Sequence, residues 1–352
     1  MMNLGDVKSV EFDSATLVKM NAKAQKLLEA LNSFGDHHLG DKFNFGVLRF
    51  HTTPQVRYFA PIFAGGLSDE WTLALALPLI TYQNKISITH DHSNLDYYRR
   101  QFSGLSQELD EALNTDLGQA TNEILRKKGY RPLSDRNESF WGDAQVAAVY
   151  KILEARESTM IYQAVVGLPT GPAYSPEDLG ALNIFGRTSW QSTLAYSRRW
   201  GASGWSWMPY VSCLLYLPDE IQARVPAGED DVLPEPSSQE KVHRSLAPTL
   251  GFGNNFFYEF KDRWIAGAAY EVTQKGADSF GGSQGGRYDL LARNTASRAA
   301  RVKAELTYTS VKSYLNKNAL LPLMLSLEVS DTIAGMNVER QLVQEVNLML
   351  FF

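Results

Sequence analysis

The chain lacks most of what would mark a cross-linked, metal-dependent or helical membrane protein. One cysteine, Cys213, stands among 352 residues, so no intrachain disulfide can form. No window approaches eighteen consecutive apolar residues, which excludes a transmembrane helix. Lysine and arginine number 34 against 39 acidic residues, a net charge of −5, so neither a polybasic nucleic-acid surface nor an acidic tail is present. Six histidines are spread thinly. His37-His38 and His90-Asp91-His92 are the only clusters, and four ligands of suitable spacing do not accompany them, so they read as solvated loop residues and no metal or other cofactor is implied. The opening Met-Met-Asn-Leu has neither the basic region nor the apolar core of an export signal.

Alternation is what the chain does have. From Asn337 to Phe352, one parity holds Val338, Leu342, Val346, Leu348, Leu350 and Phe352, and the other holds Asn337, Glu339, Gln341, Glu345, Asn347 and Met349. A period of two over that length predicts a strand with one apolar and one polar face, far longer than the usual run of about 5–6 residues. The pattern recurs. Leu321, Leu323, Leu325, Leu327 and Val329 oppose Ser326, Glu328 and Ser330. Val302, Ala304, Leu306 and Tyr308 oppose Arg301, Lys303, Glu305 and Thr307, and Trp190, Leu194 and Tyr196 oppose Arg187, Gln191 and Thr193.

Twelve segments read as strands: 43–51, 55–66, 70–84, 143–155, 157–168, 186–199, 204–216, 248–261, 263–273, 299–312, 319–331 and 337–352. Short connections alternate with the long ones at 85–142, 169–185, 217–247 and 274–298. Short turns on one rim and long loops on the other predict an all-β, up-and-down antiparallel transmembrane barrel of twelve strands, with fourteen as the alternative count. The last strand is then the closing stave, sealing against 43–51, with both termini on the short-turn side. Tryptophan, tyrosine and phenylalanine, 11% of the chain, collect near segment ends as interfacial girdles do. A mean hydropathy of −0.25 fits, because only alternate strand residues face lipid. An outer-membrane location follows, on the assumption that an export signal has been removed.

Two stretches are helical in period. Leu17, Met20, Ala24, Leu27, Leu28, Leu31 and Phe34 predict a helix over 13–35, within an N-terminal segment 1–42 that precedes the barrel domain 43–352. Leu105, Leu109, Leu113, Leu117, Ile124 and Leu125 predict a second over 105–128, stopped by Gly129, inside the first long loop. The 217–247 loop is acidic and carries several prolines, so it is expected to be irregular. Pro61, Pro78, Pro209 and Pro322 each delete a ladder donor inside or at the start of a proposed strand. Either the strand ends lie elsewhere, or the wall is kinked. At Pro78 a kink would open a gap between lumen and lipid.

Ala64-Gly65-Gly66-Leu67-Ser68-Asp69-Glu70-Trp71, followed by Leu73 through Pro78, resembles the first hairpin of outer-membrane proteins of the meta-pathway phenol-degradation family. Gly142-Asp143, with Val166-Gly167-Leu168-Pro169-Thr170-Gly171, resembles a second stretch of that family. The resemblance spans roughly residues 43–352. It implies a relative of FadL-like channels for long-chain fatty acids and aromatic hydrocarbons: a barrel passing hydrophobic small molecules, in contact with outer-membrane lipid and lipopolysaccharide. The 13–35 helix sits where such channels carry a plug, although the plug's own motif is missing. It is alternatively a periplasmic element.

Site residues follow from parity. Arg187, Gln191, Arg301, Lys303, Glu305, Glu328, Glu339, Gln341 and Glu345 are expected to face the lumen, either filling it as ion pairs or guiding a substrate. Phe59, Phe63, Met208, Tyr210 and Phe257, on the inner parity, would supply a greasy patch. Two other functions compete with the channel. One is a structural or partner-docking barrel using the 13–35 or 105–128 helix. The other is an outer-membrane lipid hydrolase at His90, His92, Ser93 and Asn94, whose spacing departs from a His-x-Ser-Asn run. Gly281-Gly282-Ser283-Gln284-Gly285-Gly286 lacks the Lys-Ser/Thr ending of a phosphate loop and reads as an ordinary loop.

Overall fold

A computed structural model describes residues 10–13, 28–29, 31–33, 39–91 and 93–104, and the remainder except several positions in 105–116 and residues 230, 232, 262, 339 and 352. Most of the expected 13–35 helix, His37-His38, His92 and Glu339 therefore lie outside the described residues. The helical positions 28–29 and 31–33 bring Leu28 and Leu31 into a cluster with Phe43, Leu95, Tyr98 and Leu113.

The strands are β1 (Val10–Asp13), β2 (Asn44–Phe59), β3 (Ile62–Gly66), β4 (Trp71–Ala76), β5 (Leu79–Asp91), β6 (Arg136–Trp141), β7 (Ala144–Glu154), β8 (Ser158–Leu168) and β9 (Ser189–Arg199). They continue as β10 (Trp205–Tyr216), β11 (Asp219–Arg224), β12 (Gln239–Ser245), β13 (Thr249–Phe260), β14 (Trp264–Lys275), β15 (Ser279–Gly281), β16 (Ser297–Thr309), β17 (Leu323–Met336) and β18 (Leu342–Leu350). An eleven-stranded antiparallel sheet runs β18-β17-β16-β14-β13-β10-β9-β8-β7-β4-β3, and a four-stranded sheet runs β1-β2-β5-β6. The second sheet continues the first upward. Only Ala60-Pro61 separates β2 from β3, Leu77-Pro78 separates β4 from β5, and Gly142-Asp143 separates β6 from β7.

This makes eleven staves, one fewer than the sequence count. The expected strands 43–51 and 55–66 begin as one, because Thr52-Thr53-Pro54 runs straight through in register with Ile86, Lys85 and Asn84. An odd number leaves β18 and β2 running the same way. Among the described residues no hydrogen-bonded pairing joins them, contrary to the expected seam between 337–352 and 43–51. β1 runs opposite to the head of β2, the sense that an antiparallel seam requires.

The last strand is also shorter than expected. Asn337 takes a left-handed conformation (φ 53°), the Thr332 N–H donates to the Gln341 carbonyl, and the strand starts at Leu342.

The sheet is apolar on its outside. Leu73, Leu75, Leu194, Val302, Leu306, Leu325, Leu327 and Val329 are all exposed, on the parity the sequence assigned to lipid. A wall of this kind is at odds with water on both faces and fits a hydrocarbon surround. At the short-turn end, three directly opposed cross-strand pairs put aromatic rings together. Trp71 and Tyr150 have centroids 4.7 Å apart, Trp205 and Tyr258 4.9 Å, and Trp264 and Tyr308 5.1 Å. Such pairs lock register and mark an interfacial girdle. The first short turn is built by Ser68, whose hydroxyl accepts from the N–H groups of Glu70 (3.2 Å) and Trp71 (3.1 Å).

The long connections are more ordered than their composition suggests. The first holds α1 (Leu95–Phe102) and α2 (Leu117–Lys127), the second inside the expected 105–128 helix; residues 107, 110 and 113 are helical too, while Leu105 and Leu109 lie outside the described residues. Gly129, at φ 66°, ends α2 as expected. The 217–247 segment supplies β11 and β12, which with β15 form a three-stranded sheet over Ala223, Val225 and Val242. Its proline-rich middle hid two short strands. Glu240 accepts from the Ser283 and Gln284 N–H groups (both 3.2 Å) and the Tyr288 hydroxyl (2.7 Å), which fastens the glycine loop to that sheet.

Candidate functional site: the lumen and a break in its wall

Directly opposed residues share a face, so the register places every candidate. Gln191, Met208, Tyr210, Phe257, Arg301, Lys303, Glu305, Glu328 and Glu345 lie on the inner parity of their strands. Arg187 precedes β9 at the long-loop rim. Phe59 and Phe63 do not face in. Phe63 opposes the lipid-facing Leu75, and Phe59 opposes Leu79 on the same outer parity, with both rings about two-thirds exposed. Tyr58-Phe59-Ala60-Pro61-Ile62-Phe63 has no polar residue to set its phase. Gln341 lies just before β18 and outside the wall strands.

The inner side chains form a polar belt part-way down. Lys303 Nζ sits 2.9 Å from Glu328 Oε1, and Glu305 accepts from the Thr307 hydroxyl. The Tyr210 ring lies over Gly253, whose cross-strand partner is Glu271. Glu271 escaped the sequence reading, although its inner parity in β14 is plain beside the exposed Tyr270. The rings need glycine beneath them. A Cβ at Gly253 would meet the Tyr210 ring at 2.2 Å, and one at Gly267 would meet the Phe257 ring at 2.8 Å. Below the belt, a cavity of about 250 Å³ is lined by Arg199, Phe257, Glu259, Glu305, Thr307 and Met324 among others. Glu259, also missed, is bridged there to Lys312.

The wall breaks at one level in three adjacent staves. Ala60-Pro61, Leu77-Pro78 and Gly142-Asp143 interrupt neighbouring strands, and proline removes ladder donors in two of them. Two rungs survive: the Leu77 N–H donates to the Pro61 carbonyl (3.3 Å), and the Gly142 N–H to the Pro78 carbonyl (2.8 Å). Pro78 lies seven residues beyond the Trp71 girdle, roughly 23 Å along the strand. By contrast Pro209 lies within the continuous β10, opposite Asn254, and Pro322 just precedes β17.

The connection after β8 pads this break. A Cβ at Gly142 would stand 3.2 Å from both the Phe185 ring and the Pro78 ring, so both press on the glycine. Phe185 also packs edge-on against Phe140, with centroids 5.5 Å apart. Asp143 latches the connection: Oδ1 accepts from the Gly171 (2.8 Å) and Gly186 (2.9 Å) N–H groups, and Oδ2 from that of Arg187 (3.3 Å). The Thr170 hydroxyl donates to the Gly142 carbonyl (3.0 Å) and accepts from the Ala144 N–H (2.8 Å). Gly142-Asp143 and Thr170-Gly171, read separately in the sequence, thus meet at one place.

At the long-loop mouth, Arg187 donates from Nη2 to the Asn183 carbonyl (2.6 Å), with its guanidinium carbon 5.9 Å from the Tyr216 ring centroid. Burial lowers its pKa, and nearby Arg244 lowers it further. Burial pushes the Tyr174 phenol up, against the pull of Arg244 and Arg187. Arg244 is itself held by Asp219, and Lys275 by Asp278.

Of the proposed hydrolase residues, Ser93 spends its hydroxyl on structure. It donates to the Asn44 carbonyl (3.2 Å) and accepts from the Leu95 N–H (3.0 Å) at the start of α1. Among the described residues, no three His, Cys, Asp or Glu side chains gather as a metal site.

No protein-family model and no curated protein matches the sequence. The structure is similar to the crystal structure of an outer membrane channel from Pseudomonas putida F1. The TM-score is 0.50 over 87% of this chain and 86% of that one, at 14% identity. The likeness is one of fold. The large antiparallel sheet is thus arranged as in a known outer-membrane channel.

Proposed function

We propose that this protein is an outer-membrane channel for the passive uptake of hydrophobic or aromatic small molecules, with its short turns in the periplasm. A molecule enters at the long-loop mouth, meets the polar belt, and leaves sideways through the broken wall into the membrane. The observation that carries this reading is the coincidence of three interrupted staves at one level, padded by a connection that a single carboxylate latches. Met208 and Phe257 offer apolar surface inside, while the belt of Arg301, Lys303, Glu305 and Glu328 disfavours an apolar solute that continues straight down. Outer-membrane lipid and lipopolysaccharide would surround the wall.

The same belt favours a second reading, a filled structural barrel. Uptake separates the two. Proteoliposomes carrying the full chain are expected to take up a small aromatic hydrocarbon several-fold faster than protein-free vesicles. Equal rates would leave the filled barrel as the better account.

A further inference from the structure

The sheet of β2, β5 and β6 turns from apolar to polar at one level on its outer face. Phe59, Leu79 and Trp141 are directly opposed across the three strands and form an apolar row immediately above the wall break. Phe59 and Trp141 are well exposed, and they mark the upper interface as the tryptophans of the short-turn end mark the lower. The same face continues upward in three further rows: Arg57, Thr81 and Ser139, then Gln55, Gln83 and Asn137, then Thr53 and Lys85. None of these residues is acidic, in a chain of net charge −5. Among the described residues, neither Arg57 nor Lys85 has a carboxylate within ion-pair distance. The neutral side chains are tied across strands. The Thr81 and Ser139 hydroxyls stand 3.0 Å apart, and Gln83 Nε2 donates to Asn137 Oδ1 (3.2 Å), which leaves each pair with further donors and acceptors to offer. From Phe59 to Thr53 the face rises roughly 20 Å along the strand, well beyond the headgroup zone of about 5–8 Å on a phospholipid leaflet.

We infer that this face docks lipopolysaccharide, with Arg57 and Lys85 meeting its anionic groups and the hydroxyl and amide rows meeting its sugars. Two observations commit the surface to that occupant. The unpaired cations complement phosphate, which guanidinium meets in a planar fork. The face is also continuous with the lipid-facing wall, so a molecule with acyl chains below and charged sugars above fits both parts at once. Its acyl chains then hang beside Pro78 and Gly142, over the break.

This inference rests on the outer-membrane placement within the channel reading, and the test separates the two. Full-length protein in neutral detergent is titrated with fluorescently labelled rough lipopolysaccharide, with its dephosphorylated form, and with labelled phosphatidylglycerol, and binding is read by anisotropy. Lipopolysaccharide is expected to bind saturably and roughly tenfold or more tighter than the other two, the scale of one charge-assisted contact. Arg57→Gln with Lys85→Gln is expected to lose at least that factor. Arg198→Gln, on the outer face at the short-turn end opposite Trp207, is expected to leave binding unchanged. Retained heat-modifiable mobility on electrophoresis certifies that each variant is folded. Equal binding of lipopolysaccharide and phosphatidylglycerol, or undiminished binding by the double variant, overturns the inference and leaves the channel standing. A dimer of the unsubstituted protein that the double substitution dissolves assigns the face to a second copy and overturns the inference too. An unsubstituted protein with neither heat-modifiable mobility nor saturable lipopolysaccharide binding overturns the membrane placement and the inference together.

Discussion

Asp143→Ala is expected to make the proposed channel leaky. The Asp143 carboxylate is the common acceptor for three backbone N–H groups from Gly171, Gly186 and Arg187, and so ties the connection after β8 to the broken wall. Hydrogen bonds to a charged group are the stronger kind, and losing this set removes on the order of 3 kcal/mol from the latched arrangement. That shifts a latched-to-open balance by about a hundredfold. Planar-bilayer recordings should show a several-fold rise in mean conductance, and cells should become more sensitive to hydrophobic toxicants. Asp143→Asn keeps one acceptor oxygen and should fall between. If Asp143→Ala conducts and takes up solutes as the unsubstituted protein does, the connection is not a latch.

Neutralising the polar belt is expected to separate two routes that share one lumen. Lys303 and Glu328 face each other at 2.9 Å, and Arg301 stands one inward position away on β16. Removing one partner would strand a part-buried charge, so the informative variant replaces all three with serine. A wider, uncharged lumen should raise ion conductance several-fold. Uptake of a hydrocarbon should stay the same, because that solute leaves above the belt. A parallel rise in hydrocarbon uptake would mean that the lumen, and not the wall, is the route.

Much of this sheet was legible because period-two alternation survives wherever one face is charged. In 299–312 and 319–331, Arg301, Lys303, Glu305 and Glu328 fixed the phase, and the register keeps them on one face of the sheet. The reading failed where contrast vanished. Tyr58 through Phe63 is apolar throughout, so Phe59 and Phe63 were assigned to the wrong face. Thr52-Thr53-Pro54 resembled a turn but runs extended beside β5, which turned one stave into two. Asn337 looked like another alternating polar residue, although its left-handed conformation takes it out of the strand.

Pro78 was the part of the wall break that could be suspected in advance. The coincidence of Pro61, Pro78 and Gly142 at one level depends on pairing register between strands distant in sequence, which no local pattern encodes. The latch was out of reach for the same reason: Asp143 and Gly171 are 28 residues apart and meet only in the folded chain.

The most direct test of lateral exit is to staple the padding to the wall. Gly142→Cys with Phe185→Cys, in a Cys213→Ser background, brings two thiols to the break for a short, cleavable crosslinker. Hydrocarbon uptake into proteoliposomes is measured before crosslinking, after it, and after cleavage. Lateral exit predicts that uptake falls to the protein-free rate when stapled and recovers on cleavage. Unchanged uptake through the stapled protein would contradict it.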